Sequence, residues 1–197
     1  MWRWIKKIQA LKAKKIVWDD TLDDPNTEVF VVSVDGVDCK MWERKHATMP
    51  VDTEFFSRKF NHGAVKYELG ISVFRPKLVW MSGPFRGGKH DLTMFREGGL
   101  KAKIREGKMA IADRGYVSER ADERKLFALP NPLYPPELMN FKSRARCRHE
   151  SFNGRIKVFE CLSDTFRHGV EKHKIAFEAV CVIVQYQMDN GSPIFQA

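Results

Sequence analysis

The chain has 197 residues, 43% of them apolar and 12% aromatic, which is material for one folded domain with its own core and excludes a disordered tail. A chain of this length removes roughly 70% of its extended surface from water on folding, so neither disulfide nor metal staples are required. Thirty-four Lys and Arg against 25 Asp and Glu leave a net charge of +9, which favours a polyanionic partner held through phosphate contacts.

The cysteines, Cys39, Cys147, Cys161 and Cys181, form no CxxC pair and read as reduced thiols. Cys161, His168 and His173 lack both a fourth partner and a recognised zinc spacing. No apolar run approaches the ~20 residues of a bilayer span, and the basic N-terminus lacks the apolar segment of a secretory signal. The expected setting is away from membranes: nuclear in a eukaryote, otherwise cytoplasmic.

In chain order, Trp2 to Trp18 mixes Trp2, Ile5, Ile8 and Leu11 with Arg3 and five lysines and holds no acid, which predicts a basic amphipathic helix that either docks on the domain or meets an anionic surface. Asp19, Asp20, Asp23 and Asp24 lead to Pro25-Asn26 and read as an acidic linker, so residues 1–28 form a helical arm and residues 29–190 the main domain, with 191–197 as a tail. Val29 to Val34 is a β-branched run that predicts a buried strand ending at Asp35-Gly36. Tyr67 to Phe74 and Leu78 to Met81 are two further strands joined by Arg75-Pro76-Lys77, hence antiparallel. After a Gly-rich loop, His90 to Arg105 predicts a helix interrupted at Gly98-Gly99, with Asp91 as N-cap candidate. Lys108 to Ala112 and Lys125 to Leu129 are short strands, and a Pro-rich turn runs from Asn131 to Pro136. Phe141, Ala145, Phe152, Ile156 and Phe159 form the apolar stripe of a long helix, opposite Arg146, Glu150, Asn153 and Lys157, and Val170 to Gln187 closes the chain as a helix.

Antiparallel strands followed by helix-linked ones give an α/β protein in the order of an RNase H-like fold, a mixed five-stranded sheet with helices on both faces. In that architecture two carboxylates end adjacent central strands and a third projects from a later helix across the same sheet edge. Asp35, Asp113 and Glu150 occupy those three positions, with 77 residues separating the first two and 36 the second pair.

The segments VSVDGVDC (from Val32), GPFRGGKHDLTMFRE (from Gly83), KMAIADRGYVS (from Lys108) and RHESFNGRIKVF (from Arg148) resemble, in order, the DDE transposases of the PIF/Harbinger kind and their bacterial insertion-sequence relatives, over roughly residues 29–160. The resemblance implies that Asp35, Asp113 and Glu150 are a catalytic triad binding two Mg²⁺ ions, with Mn²⁺ able to substitute. It also implies DNA as substrate, cut by phosphoryl transfer, and homo-oligomers assembled on DNA. Asp38 stands as a rival to Asp35, because the family commonly has Gly-Thr-His where this chain has Gly36-Val37-Asp38. Glu150, Gly154, Arg155 and Lys157 match the family's third-carboxylate helix. His90-Asp91 resembles another family element. Family members usually carry a helix-turn-helix region, which makes a separate DNA-recognition protein an expected partner. The basic residues around Glu150, notably Arg146, Arg148, Arg155 and Lys157, are expected DNA-backbone contacts. The competing expectation is a transposase-derived scaffold that binds DNA without cutting it.

Overall fold

The computed structural model describes residues 1–18, 22, 29–42 and 53–196. The acidic residues of the linker expected at 19–26, Asp19, Asp20, Asp23 and Asp24, lie outside them. Six strands form one mixed sheet: β1 (Phe30–Lys40), β2 (Phe56–Ser57), β3 (His62–Ser72), β4 (Leu78–Arg86), β5 (Met109–Ile111) and β6 (Phe127–Ala128). Its backbone is β4-β3-β1-β5-β6; β3 runs antiparallel to β1 and β4, while β5 runs parallel to β1 and β6. That order is the RNase H-like arrangement, and the strand beyond the expected five is the two-residue β2, paired to the start of β3.

Strand β1 does not stop at Asp35-Gly36. It continues to Lys40, because β3 supplies an unbroken antiparallel ladder in which Asp35 faces Leu69 and Gly36 faces Glu68. A full ladder of backbone bonds outweighs the local turn preference of Asp-Gly. Asp35 therefore sits mid-strand.

Side chains along β1 alternate between two packed layers. Val32 and Val34 join Val79, Phe95, Leu100 and Phe127 on the side of α3 (Asp91–Gly98). Val37 and Cys39 join Phe152, Ile156, Phe177 and Val184 on the side of α5 (Pro136–Lys157) and α7 (Val170–Asp189), with α6 (Glu160–Ser163) between them; a single turn, α4 (Ala121–Arg124), precedes β6. Each large side chain buried here contributes about 1.5–3 kcal/mol. Pro136 is the first residue of α5, where its missing N–H costs nothing, so the Pro-rich turn launches the helix. Phe159 lies beyond the end of α5, as the N-cap of α6.

The basic arm, α1 (Trp2–Gln9) and α2 (Lys12–Lys15), docks on the closing helix. Gln9 and Lys12 donate to the Glu178 carboxylate at 2.6 and 2.7 Å, Lys15 meets Asp189 at 3.0 Å, and Trp2 and Ile8 pack on the core. Among the described residues no helix is long and apolar enough to cross a membrane.

Candidate active site

The register of the central strands brings the first two carboxylates together. In the parallel pairing Ser33 faces Ile111, and two residues further along each strand direction stand Asp35 and Asp113. Ser33 and Asp35 point toward α5, where the Ser33 hydroxyl and His149 Nε2 lie 3.0 Å apart. His149 is buried, and burial lowers its pKa to about 4, so the ring stays neutral and packs as a strut between helix and strand. The next helical residue, Glu150, is thereby set at the sheet edge. Asp35, Asp113 and Glu150 line one cavity of about 320 Å³, together with Ser143 and Arg146.

Each Asp is oriented by a neighbouring glycine amide. Gly36 N–H donates to Asp35 Oδ1 at 2.8 Å, and Gly115 N–H donates to Asp113 Oδ1 at 2.8 Å, capping the 3-10 turn at 114–116. Asp113 thus both caps a turn and lines the cavity, and it and Glu150 are exposed to solvent. Asp35 is half-buried, and its pKa is raised to about 6: burial is the main cause, the Gly36 hydrogen bond opposes it, and Asp113 and Asp91 add repulsion.

The surroundings show a fourth carboxylate. Asp91 is not the N-cap; extended His90 is, and Asp91 is the first residue of α3, where its charge meets the positive helix end. Its Oδ1 takes a 3.1 Å ion pair from Lys66. A Cβ added at Gly36 would stand 2.9 Å from Asp91 Oδ1, and one at Gly115 closer still to Oδ2. The glycines beside the two site aspartates are therefore required for Asp91 to approach. The acid at a helix start after a Gly-rich loop was the sequence signal for it; only the sheet register reveals where it points.

Asp38, the rival to Asp35, projects elsewhere. It is buried in a separate concavity with Lys59 and Lys66, its carboxyl pushed up chiefly by burial.

The expected backbone contacts divide. Arg146 lines the site cavity. Arg148 has no exposed surface and donates to the carbonyls of Ser72 (2.7 Å), Val73 and Arg75, tying α5 to the end of β3, so it is unable to reach a phosphate outside. Arg155 donates to the carbonyls of Ser192 and Pro193, and Lys157 to those of Asp38 and Leu162 at 2.8 and 2.6 Å. Three of the four cations thus hold the helix to its neighbours.

The donor set suits a hard divalent cation. Its ligand atoms are carboxylate oxygens, the preference of Mg²⁺, and mutual repulsion at Asp35 is a charge that a cation relieves. Among the described residues, no three His, Cys, Asp or Glu side chains stand close enough together to hold an ion as they lie.

Residues 34–185 match the family described as DDE superfamily endonuclease. The chain is also 27% identical over 146 residues to a probable transposase for insertion sequence element IS702 from Microchaete diplosiphon, an alignment covering 68% of this chain and 50% of that protein. The chain thus spans about half the length of this curated relative. With the matched segment running from β1 through nearly all of α7, the chain belongs to the DDE superfamily of endonucleases.

Proposed function

We propose that this chain is the catalytic domain of a DDE transposase, of the PIF/Harbinger kind by its four motif segments, that cuts DNA phosphodiester bonds. The observation that carries this reading is the convergence of Asp35, Asp113 and Glu150 on one cavity beside Arg146. In this reading the three carboxylates hold two divalent cations, Mg²⁺ or Mn²⁺. Such an ion pair, when bound, activates the attacking oxygen and neutralises the leaving one.

The chain's own residues do the rest. Asp35, fixed by the Gly36 amide on a central strand, is the rigid member; Asp113 and Glu150, exposed, adjust around it. Arg146 places the scissile phosphate by a charge-assisted hydrogen bond. Water attacks phosphorus, the P–O3′ bond breaks, and the departing oxygen takes a proton to become a 3′-OH. In strand transfer that 3′-OH attacks a target phosphate, forming one P–O bond as another breaks. DNA is the substrate, a homo-oligomer on DNA is the working form, a separate protein supplies end recognition, and the site of action is the nucleus or, in a prokaryote, the cytoplasm.

The test is nicking of supercoiled plasmid with Mg²⁺, Mn²⁺ or EDTA, beside Asp113→Asn, whose amide oxygen keeps the Gly115 hydrogen bond. Metal-dependent nicking lost in the variant supports the reading. Metal-independent nicking, or nicking retained by the variant, overturns the triad, and DNA binding without nicking by either protein points to a binding remnant or to a core that cuts only with its recognition partner.

A further inference from the structure

A second cavity, of about 280 Å³, adjoins the carboxylate site and shares Arg146 with it. Its walls come from the residue after one site carboxylate, Arg114, from the loop between β6 and α5, and from the first turns of α5. The loop reads Pro130-Asn131-Pro132-Leu133-Tyr134-Pro135-Pro136, and four prolines in seven residues make it stiff before any ligand arrives. Asn131 stiffens it further, accepting from Leu133 N–H at 3.0 Å through its side chain and from Tyr134 N–H at 3.2 Å through its carbonyl. The Tyr134 ring is held by Lys142, whose ammonium stands 4.2 Å from the ring centroid while donating to the Leu129 carbonyl at 2.6 Å.

The chemistry of the lining is lopsided. Arg114, Lys142 and Arg146 contribute three cations, and no acid lines the cavity. Arg146 Nε is buried without a hydrogen-bond partner, a donor that an incoming anion would satisfy. Pro130, Pro132, Met139 and the Tyr134 ring supply the apolar and aromatic remainder. A ligand that answers all of this carries an anion and a flat, weakly polar face, and enters beside the carboxylates.

We infer that this cavity takes one unpaired nucleotide of the DNA next to the scissile phosphate, with its phosphate on Arg146 and Arg114 and its base against Tyr134. The inference rests on the proposed function for its position along the DNA, but not for the binding itself. A base stacked within a duplex has no free face to offer Tyr134; one that is unpaired or swung out does.

The probe is a DNA duplex carrying 2-aminopurine, whose fluorescence falls on stacking, either opposite an abasic position or paired with thymine. It is titrated with the full chain in EDTA so that nothing is cut. Saturable quenching of the unpaired probe only is expected. Tyr134→Ala should abolish it and weaken binding about 5- to 100-fold, whereas Tyr134→Phe retains it. Tyr134→Phe should unfold at the temperature of the parent protein and Tyr134→Ala within a few degrees of it, since the half-buried ring lies on a loop and touches Lys142. Equal quenching of paired and unpaired probes, quenching unchanged by Tyr134→Ala, or full displacement by inorganic phosphate alone overturns the inference, the last by showing a plain anion site. Nicking without Tyr134-dependent quenching rejects the pocket and leaves the triad standing; Tyr134-dependent quenching without nicking does the reverse.

Discussion

Glu123 and the three carboxylates of the cavity are both packed about the sheet, and the protein treats them in opposite ways. Glu123, fully buried beside β6, accepts from Arg96 through both Nε (2.9 Å) and a terminal nitrogen (2.7 Å), from Lys101 (2.9 Å) and from the Ser118 hydroxyl (2.5 Å). Its carboxyl is held far below the usual range, first by the Arg96 hydrogen bonds. Asp35, Asp113 and Glu150 have no such escort: glycine amides orient the two aspartates, and the strongest charges felt by Asp35 are other carboxylates. A compensated buried acid locks α3 to α4. Carboxylates left without a cationic partner at a cavity are what the proposed cation binding would use.

The sharpest way to break this comparison is Glu150→Gln. The side chain is exposed and one atom changes, so folding stability should move by less than about 0.5 kcal/mol. Nicking should fall by roughly 10³-fold or more, because an amide is a poor ligand for a hard cation. Salt-sensitive DNA binding, measured by fluorescence anisotropy, should persist because no cationic side chain is removed. Retained nicking would move the third ligand elsewhere.

Glu123→Gln should show the reverse pattern. Replacing the buried carboxylate takes from Arg96 its charged partner, while Lys101 keeps Asp122 at 3.0 Å, so the cost should be about 1–3 kcal/mol, or a Tm lower by roughly 2–12 °C for a chain of this size. Because the folded-state pKa of Glu123 is depressed, its contribution is present above its unfolded value and lost as pH falls, so parent and variant should converge in acid. Nicking at permissive temperature should survive.

Glu68 stands between the two cases. It is buried on β3, accepts from Trp80 Nε1 at 3.1 Å and from the Tyr116 hydroxyl at 3.5 Å, and burial raises its pKa from 4.5 to about 7. A raised carboxyl pKa means that the folded state holds the proton more tightly, so stability falls as pH rises from about 4.5 to 7. Glu68→Gln should flatten that slope and gain about 2 kcal/mol at pH 8 with little change at pH 4, read from urea unfolding at the two pH values.

These contrasts also mark what the sequence could disclose. The β-branched runs and the Pro and Gly punctuation were enough for the sheet order, and the motif segments located the three carboxylates that the structure brings to one cavity. The basic run around Glu150 does not form one surface. Arg146 and Arg148 are two residues apart, about 200° around a helix, so when one faces the cavity the other faces the core. Asp91 differs again: its place in the first turn of α3 is local, while its approach to Gly36 and Gly115 depends on how α3 lies over the sheet. The extension of β1 through Asp35-Gly36 was equally invisible, since it depends on β3, a partner some 30 residues away.

The finest test of the comparison is Asp35→Asn, read as stability with and without metal. Without metal at pH 8, the parent protein bears a half-buried carboxylate repelled by Asp113 and Asp91 and offset in part by the Lys59 ammonium. Its pKa, raised from 3.8 to about 6, means that stability falls as pH climbs through that window, and the asparagine variant escapes the fall. In EDTA the variant should therefore be the more stable protein, by about 1–2 kcal/mol after allowance for partial solvent access. Millimolar Mg²⁺ or Mn²⁺ should close most or all of that gap: ion binding at ten times Kd adds about 1.4 kcal/mol to the parent and little to the variant. At pH 5 the metal gain of the parent should shrink, because the proton on Asp35 competes with the ion. Parallel curves, with Asp35→Asn gaining as much from the metal as the parent, would show that Asp35 is merely an uncomfortable buried acid and that the resemblance between it and Glu68 is the true one.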